Sequence, residues 1–276
     1  MDTGFADSAS ERVQTALGTI AYRSSGQAPR VSHVLLHGIG SASASWRAQL
    51  AWAWGRDDVR LLAWDAPGYA ASSPVAAPWP RASDYAERLW AWLDALAVRE
   101  PVVLVGHSLG AIMAAGAAVQ QPQRVSRLLL LAPARGYGDA PEAERARMVD
   151  SRLSSLHRLG PAGMAQARAA AMLSPQARPE WIEAVRRNMA AIDPSGYTQA
   201  VHLLAQGRLI QDLATLAQPV QVASGEADTI TAPVACDEVA AAAGVQRLSL
   251  GAVGHACPLE AAEAVCALLL GPARRS

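Results

Sequence analysis

The chemistry in this sequence centres on Ser108, in a Gly-x-Ser-x-Gly motif formed by Gly106, Ser108 and Gly110. An apolar run at residues 101–105 precedes the motif and a run of small residues follows it, which predicts a strand, a tight turn and a helix. The glycines would let strand and helix approach closely, so that the serine hydroxyl projects as a nucleophile. The backbone N–H of Leu109 would then face an oxyanion. The alternative is an ordinary Gly/Ser turn in a helix–strand crossover.

A serine hydroxyl is a weak nucleophile at neutral pH and needs a general base, which a carboxylate orients. His255 follows Gly254 in a predicted loop after the last strand, at the sheet edge where Ser108 also lies. We therefore predict that His255 is the base. The other five histidines are expected to pack, to support a loop or to face solvent: His33, His37, His107, His157 and His202.

The carboxylate that orients the base must come from a neighbouring strand end. Asp228 follows the predicted strand at 219–223 and precedes His255 in the chain. Glu226 is the nearest competitor, but its alternation with Asp228 predicts a different facing. The preceding strand ends in Ala132-Pro133-Ala134, with Asp139 too far along. The prediction is therefore Asp228.

A second oxyanion donor is expected from the loop His37-Gly38-Ile39-Gly40, which follows an earlier predicted strand. The flanking glycines would let the Ile39 N–H face the site, and His37 would hold the loop in place. An ordinary turn between strand and helix is the alternative. A dinucleotide-binding loop is not, because Ser43 stands where that motif has its third glycine.

Composition excludes several classes of protein. The chain has 276 residues, 51% hydrophobic, with a formal net charge of zero and a pI near 7.0, so neither nucleic acid nor an anionic membrane is an expected partner. All 24 basic side chains are arginine. The absence of lysine excludes Walker-type phosphate loops and Schiff-base chemistry. We expect a small-molecule acyl substrate, with no cofactor and no metal.

The three cysteines and the N-terminus predict a cytoplasmic protein. Cys236, Cys257 and Cys266 have no C-x-x-C spacing and cannot all pair, which favours reduced thiols. Residues 1–7 carry acidic side chains and no apolar core of a signal peptide. The most apolar stretch, 104–119, is short for a membrane span.

The order of apolar runs predicts an α/β protein with a mostly parallel sheet that has helices on both faces. An early strand or a hairpin is expected at 15–22, with Gly18-Thr19 as a turn. Residues 135–212 contain no convincing strand and are predicted to form an inserted helical lid, with core segments at 1–134 and 213–276. Further strands are predicted at 31–36, 59–64, 101–105, 127–131, 219–223 and 246–250.

These features together resemble the α/β-hydrolase fold superfamily, specifically its lidded serine hydrolases. The resemblance depends on His37-Gly38-Ile39-Gly40, Asp65-Ala66-Pro67-Gly68-Tyr69-Ala70-Ala71-Ser72, Gly106-His107-Ser108-Leu109-Gly110, Gly225-Glu226-Ala227-Asp228 and Gly254-His255. It implies an eight-stranded sheet with a lid over the pocket, and a Ser…Asp…His order. Two positions depart from the pattern: Ala70 and Ala111 stand where glycine is usual. A serine nucleophile excludes the dehalogenase and epoxide-hydrolase branches, which use aspartate.

The expected reaction is hydrolysis of a carboxylic ester or lactone through an acyl-enzyme. The alternative is hydrolysis of a carbon–carbon bond in a ring-cleavage product, because the loop from His37 to Ser41 with Trp46 resembles that branch too. Ala256 counts against it, since those relatives often carry tryptophan there. The fold also includes cofactor-free oxygenases, lyases and ligand receptors.

The helical insertion supplies candidates for the pocket wall. Trp181 and four methionines are candidates for an apolar pocket: Met148, Met164, Met172 and Met189. Arg135 and Arg152 could hold a substrate carboxylate, although solvated surface arginines are the commoner case.

Overall fold

A computed structural model describes residues 9–271 of the chain. Residues 1–7, on which the prediction of no signal peptide depends, lie outside the described residues. The strands are β1 Glu11–Thr15, β2 Gly18–Ser25, β3 His33–Leu36, β4 Leu61–Trp64, β5 Val102–His107, β6 Val125–Leu131, β7 Val220–Ser224 and β8 Arg247–Ser249. The helices are α1 Arg47–Ala53, α2 Ala82–Ala95, α3 Leu109–Gln120, α4 Glu142–Arg168, α5 Pro179–Ala190, α6 Pro194–Gln206, α7 Leu209–Ala214, α8 Pro233–Ala242, α9 Cys257–Glu260 and α10 Ala262–Leu269.

The eight strands form one open sheet in the order β1-β2-β4-β3-β5-β6-β7-β8. β1 and β2 pair antiparallel with their neighbours, and the strands from β4 to β8 pair in parallel. The predicted fold class is therefore confirmed, including the eight strands that the resemblance implied. Parallel strands need a long crossover, usually a helix, between them, which is why apolar runs alternate with helical segments in the sequence.

Both faces of the sheet are covered. On β5, Leu104 belongs to one buried apolar cluster and Val105 to another, because successive side chains of a strand point to opposite faces. The larger cluster includes α2, α3 and the inner faces of the inserted helices, and the smaller one includes α1 and α10. The central strands thus read as continuous apolar runs, as strands buried on both faces do.

The first hairpin turns two residues earlier than the sequence predicted. Thr15 pairs with Gly18 across a turn at Ala16-Leu17, and Gly18 is already the first residue of β2. The Thr15 hydroxyl stabilises the turn by accepting a hydrogen bond from the Leu17 N–H at 3.0 Å and donating one to the Gly18 carbonyl at 2.7 Å. The prediction of Gly18-Thr19 as the turn was wrong. Gly18 does have a positive φ, 110°, which glycine readily adopts, but it has this φ as the first residue of β2 and not within the turn.

The helices α4 to α7 all lie between the end of β6 and the start of β7, and the described chain has no strand there. α4 is broken at Gly160, whose φ of 64° is non-helical, directly before Pro161. The division into a core and a lid at 135–212 stays a prediction, and residues 135–212 are called the helical insertion below. Among the described residues, no helix has the length and apolar character that crossing a membrane requires.

Candidate active site

Ser108 occupies the turn between β5 and α3 with φ 53° and ψ −116°, a strained conformation for a residue with a side chain. The turn forces strand and helix together. A Cβ atom on Gly106 would lie 2.6 Å from Ala111 Cα, and one on Gly110 would lie 2.1 Å from the Leu36 carbonyl oxygen. Only glycine fits at both positions, which explains the spacing of the motif.

His255 and Asp228 form a buried pair. The Nδ1–H of His255 donates to Asp228 Oδ2 at 2.9 Å, and the two side chains are 1% and 0% exposed. The other carboxylate oxygen accepts the backbone N–H groups of Ile230 at 2.8 Å and Thr231 at 3.0 Å. Burial raises the pKa of Asp228, but these hydrogen bonds outweigh it and the pKa is lowered. With its proton on Nδ1, the ring keeps a lone pair on Nε2.

Thr231 belongs to this pair, although the sequence analysis gave it no role. Its hydroxyl lies 2.9 Å from Asp228 Oδ2, 3.0 Å from the Ala132 carbonyl oxygen and 3.2 Å from His255 Nδ1. It therefore fixes the carboxylate beside the imidazole. The spacing in the sequence could have indicated this contact, because an aspartate often forms a local turn with a threonine three residues later.

His107 connects the nucleophile strand to the loop of His255. Its Nε2–H donates to the backbone oxygen of His255 at 2.8 Å, and the two rings lie 4.9 Å apart. Burial lowers the pKa of His107 to about 3, so this ring is neutral. The structure thus gives His107 a structural contact with the predicted base.

Two residues near Ser108 have a backbone N–H group that forms no hydrogen bond within residues 9–271. Among the described residues, none accepts a hydrogen bond from the N–H of Ile39 or of Leu109. Leu109 is the first residue of α3, where N–H groups have no acceptor within the helix. Gly38 brings the other loop close, since a Cβ on it would lie 3.1 Å from Ser108 Cβ.

Polar contacts fix the loop that carries Ile39. His37 accepts the Ala66 N–H on Nε2 at 3.0 Å and donates from Nδ1 to the Gly38 carbonyl oxygen at 2.9 Å. Burial lowers the pKa of His37, which keeps the ring neutral and able to accept at Nε2. The buried Tyr69 hydroxyl donates to the Ile39 carbonyl oxygen at 2.7 Å.

The turn after β4 is the scaffold for that loop. Its Asp65 accepts the Ser43 N–H at 2.8 Å, and its Ser72 hydroxyl donates to the Asp65 carbonyl oxygen at 2.6 Å. Ala70, one of the two departures from the family pattern, has a φ of 48°. This left-handed conformation is why glycine is usual at that position. In the sequence this turn carries part of the family resemblance, but no local pattern marks its role in supporting the loop of Ile39.

Glu260 ties the helical insertion to the loop of His255. Its carboxylate accepts the Gly254 N–H at 2.8 Å, the Ser174 N–H at 3.0 Å and the Ser174 hydroxyl at 2.6 Å. Next to it, the Ala256 N–H donates to the Met172 carbonyl oxygen at 2.7 Å. The segment at 172–174 therefore fixes the residues on both sides of His255. No sequence motif marked Glu260.

Ser108 and His255 line the same cavity, whose volume is about 890 Å³. We call one side the core wall, formed by Gly38, Ile39, Gly40, Ser108, Leu109, Thr231 and His255. The other side, the insertion wall, is formed by Arg152, Met164, Arg168, Trp181, Asn188 and Met189. Met172 lines the cavity between the two. Met148 does not, since it packs against the larger apolar cluster.

The remaining candidates lie elsewhere or are not yet engaged. The Ser108 hydroxyl forms no hydrogen bond with a described residue, so the Ser108–His255 contact is not made in this conformation.

Glu226 pairs with Arg247 at 3.0 Å instead of with His255. His33 bonds the Leu269 carbonyl oxygen at 2.8 Å, and the ring of His202 lies 4.1 Å from that of Trp79. Within residues 9–271, no three His, Cys, Asp or Glu side chains group as metal ligands.

The sheet order, with a strained serine directly after the fifth strand, is that of an α/β hydrolase enzyme. A family model described as the alpha/beta hydrolase family matches residues 34–268. The chain belongs to this family.

Relatives agree with that assignment. RutD of Klebsiella pneumoniae (strain 342), which carries a provisional carbamate hydrolase name, is 30% identical over 237 residues, 81% of this chain and 84% of its own. A hydrolase from Pseudomonas aeruginosa PA01 superposes with a TM-score of 0.82 at 27% identity, over 97% of this chain and 100% of that one. The enol-lactonase from Burkholderia xenovorans LB400 gives a TM-score of 0.81 at 19% identity, over 94% and 98%, and shows the fold alone.

Proposed function

We propose that this hydrolase cleaves a small carboxylic ester or lactone through an acyl-enzyme on Ser108. His255 removes the proton of the Ser108 hydroxyl as the oxygen attacks the substrate carbonyl carbon. Asp228 orients the imidazole and stabilises its protonated form. The N–H groups of Ile39 and Leu109 stabilise the oxyanion, each contributing about 3 kcal/mol to the transition state.

The second half of the reaction uses the same groups. His255 gives its proton to the leaving oxygen, which departs and leaves the acyl group on Ser108. The ring then takes a proton from a water molecule, whose oxygen attacks the acyl carbonyl carbon. Collapse of this intermediate releases the carboxylic acid and returns the proton to the Ser108 oxygen.

One observation carries the proposal: a strained serine, a histidine whose Nδ1–H is held by a carboxylate, and two N–H groups without acceptors surround one cavity. The Ser108–His255 contact is not made in this conformation, but both residues line the cavity, and catalytic hydrogen bonds are often long before substrate binds. The cavity volume of about 890 Å³ is within the range of small-molecule sites.

The test is covalent labelling with a serine-directed fluorophosphonate, combined with hydrolysis of p-nitrophenyl acetate. Wild type should be labelled at Ser108, and its hydrolysis should slow at acid pH because a protonated imidazole cannot accept a proton. Ser108→Ala should lose the label and lower kcat by at least about 10⁴-fold. Labelling without turnover of any acyl substrate would contradict the proposal, as would turnover that survives Ser108→Ala.

A carbamate is a second candidate substrate, favoured by the name of the Klebsiella relative. It differs from an ester by a nitrogen on the carbonyl carbon, so the same groups could act on it. We would compare kcat/KM for a short ester, a lactone, a carbamate and a dienone acid from ring cleavage. We expect the ester or the lactone to give the highest kcat/KM. The dienone acid is included to test whether the protein cleaves a carbon–carbon bond.

A further inference from the structure

Arg152 stands on the inner face of α4, where an arginine is unexpected. Val149 and Leu156, three and four residues from it, occupy the same helical face and pack in the larger apolar cluster, and the adjacent Leu153 packs there as well. Arg152 itself is half-buried and lines the cavity. This position places a cationic side chain at the boundary of the cavity.

No carboxylate within residues 9–271 pairs with Arg152. Among the described residues, none forms a hydrogen bond or an ion pair with Arg152. Other arginines of the cavity are paired: Arg135 with Glu238, and Arg187 with Glu183 at 3.7 Å. A charged group at a half-buried site without a counter-ion costs free energy, so a ligand that supplies the counter-ion would be favoured there.

The carboxylates that line the cavity are engaged or distant. Asp139 pairs with Arg208 at 3.0 Å, and Glu180 pairs with Arg178 at 3.1 Å. Glu144 is exposed in the first turn of α4, eight residues from Arg152, which is about 12 Å along a helix. That separation exceeds the screening length of about 8 Å at physiological salt.

Arg168 repeats the arrangement on the other half of α4, beyond the break at Gly160. It lies three and four residues from the buried Ala165 and Met164, is half-buried, and lines the cavity. It too forms no ion pair with a described residue. The insertion wall thus carries two arginines that no carboxylate of the described residues compensates.

The charge of Arg152 also reaches the catalytic end of the cavity. Burial raises the pKa of Tyr69 far above its usual value, and the positive charge of Arg152 opposes that shift. Since the Tyr69 hydroxyl bonds the Ile39 carbonyl oxygen, Arg152 is within electrostatic range of the loop at the predicted oxyanion site.

We propose that the insertion wall is an anion subsite, in which Arg152, supported by Arg168, binds a carboxylate carried by the substrate. This deepens the proposed function and rests on it, by assigning the substrate to the class of carboxylated esters or lactones. A guanidinium presents paired N–H donors that match the two oxygens of a carboxylate. The subsite selects the substrate and takes no part in bond cleavage.

The first experiment compares matched esters that differ only in charge. One pair places the carboxylate on the acyl group: mono-p-nitrophenyl glutarate and its methyl-capped ester. The other places it on the leaving group: para-acetoxybenzoate and its methyl ester. Wild type should prefer the charged member of one pair by about 10- to 100-fold in kcat/KM. The pair that shows this preference identifies whether the carboxylate belongs to the acyl group or to the leaving group.

Arg152→Met keeps most of the length of the apolar stem and removes the charge. It should abolish the preference through a raised KM for the charged ester, with a smaller effect on kcat/KM for the neutral ester. Arg152→Lys should keep part of the preference, and Arg168→Met should reduce it less than Arg152→Met does. The matched control is Arg158→Met, on the same helix but exposed and outside the cavity lining, which should leave both esters unaffected.

A binding measurement separates this subsite from the proposed hydrolysis. Calorimetry with wild type should detect glutarate more tightly bound than the neutral glutaramide, and Arg152→Met should remove the difference. If no ester is cleaved but glutarate binding depends on Arg152, the proposed function fails and the anion subsite stands. Three outcomes would each overturn the subsite. Wild type could show equal kcat/KM for charged and neutral esters, Arg152→Met could lose activity equally toward both, or glutarate binding could be unaffected by Arg152→Met.

Discussion

The two walls of the cavity differ in how completely their polar groups are bonded. On the core wall and directly behind it, the side chains of Asp228, His37 and Tyr69 are each held by short hydrogen bonds. On the insertion wall, Arg152 and Arg168 have no partner among the described residues, and Met164 and Met189 lie beside them. The core wall is organised before any ligand arrives, whereas the insertion wall lacks a counter-ion that a ligand could provide.

Backbone strain shows the same contrast. Of the described residues other than glycine, the four with positive φ are Ala70, Ala97, Ser108 and Ala132, and none lies in the helical insertion. Ser108 and Ala132 directly follow β5 and β6, and Ala70 lies in the turn after β4. Strain of this kind persists where surrounding contacts enforce it. This contrast is the one expected if, as proposed, the core wall performs the chemistry and the insertion wall selects the substrate.

The strongest way to break the core wall is Asp228→Asn. The asparagine can accept the Ile230 and Thr231 N–H groups but cannot hold the His255 proton on Nδ1, so the ring presents the wrong tautomer to Ser108. We expect kcat to fall by about 10³–10⁴-fold with little change in KM, measured with p-nitrophenyl acetate. Glu226→Gln is the matched control, because Glu226 pairs with Arg247, and should stay within about twofold of wild type. Equal losses in both variants would contradict the assignment.

Acid should destabilise the core through its buried histidines. Burial lowers the pKa of His33 to about 4 and that of His107 to about 3, while the unfolded chain titrates near 6.5. Below pH 6.5 only the unfolded state takes up these protons, so stability is full above that pH and falls as the pH drops toward 4. The free energy of unfolding should decrease by about 3–4 kcal/mol between pH 7 and pH 5.

Chemical denaturation at a series of pH values measures this dependence. His33→Gln should reduce the slope by about one proton, since it removes one of the buried histidines that only the unfolded chain protonates. His157→Gln, at an exposed position of the helical insertion, should leave the slope unchanged. A slope that is the same in all three proteins would show that the core histidines do not govern acid stability.

Glu260 is where the two walls are joined, and its loss should loosen the base. In Glu260→Ala the N–H groups of Gly254 and Ser174 lose their acceptor, so His255 is held less firmly. We expect kcat to fall by about 10-fold and stability by about 2 kcal/mol, with a displaced acid limb of the pH–rate profile. Glu260→Gln keeps one acceptor oxygen and should recover part of both. A loss of stability with an unchanged kcat and pH profile would assign Glu260 a structural role alone.

The smallest effect is expected from relieving strain at Ala70. Ala70→Gly should raise the free energy of unfolding by about 1 kcal/mol, because glycine adopts a φ of 48° without the Cβ clash. Ala191→Gly, at the end of α5 with a φ of −91°, should instead destabilise by about 0.5–1 kcal/mol. Urea denaturation of the two variants compares strained and relaxed backbone. Stabilisation by both would mean that φ is not the cause.

Local pattern was enough to predict much of this molecule. The Gly-x-Ser-x-Gly motif predicted a strand, turn and helix around Ser108, since only glycine allows the contacts at 106 and 110. The alternation of apolar runs predicted the parallel sheet, because each buried strand needs a helical crossover. Asp228 and His255 could be singled out because loops after parallel strands meet at one edge of the sheet.

The contacts between distant segments could not be read from the sequence. Tyr69 and Ile39 lie 30 residues apart, and Glu260 lies 86 residues from Ser174, which it joins to the loop of Gly254. No local pattern encodes such pairs, because each arises from how turns and helices pack after the sheet has formed. The prediction that Met148 lines the pocket was wrong for the same reason. Helical spacing predicts which residues share one face of a helix, but tertiary packing decides which part of the protein that face contacts.

The sequence by itself determined the nucleophile turn, the order of strands and helices, and the residues available for acid–base chemistry, because these follow from backbone geometry and apolar periodicity. Only the tertiary structure decided which arginines find a carboxylate and which remain facing the cavity. Ion pairing depends on the positions of side chains from separate elements, and a charge left without a partner becomes visible only when all of its neighbours are in place.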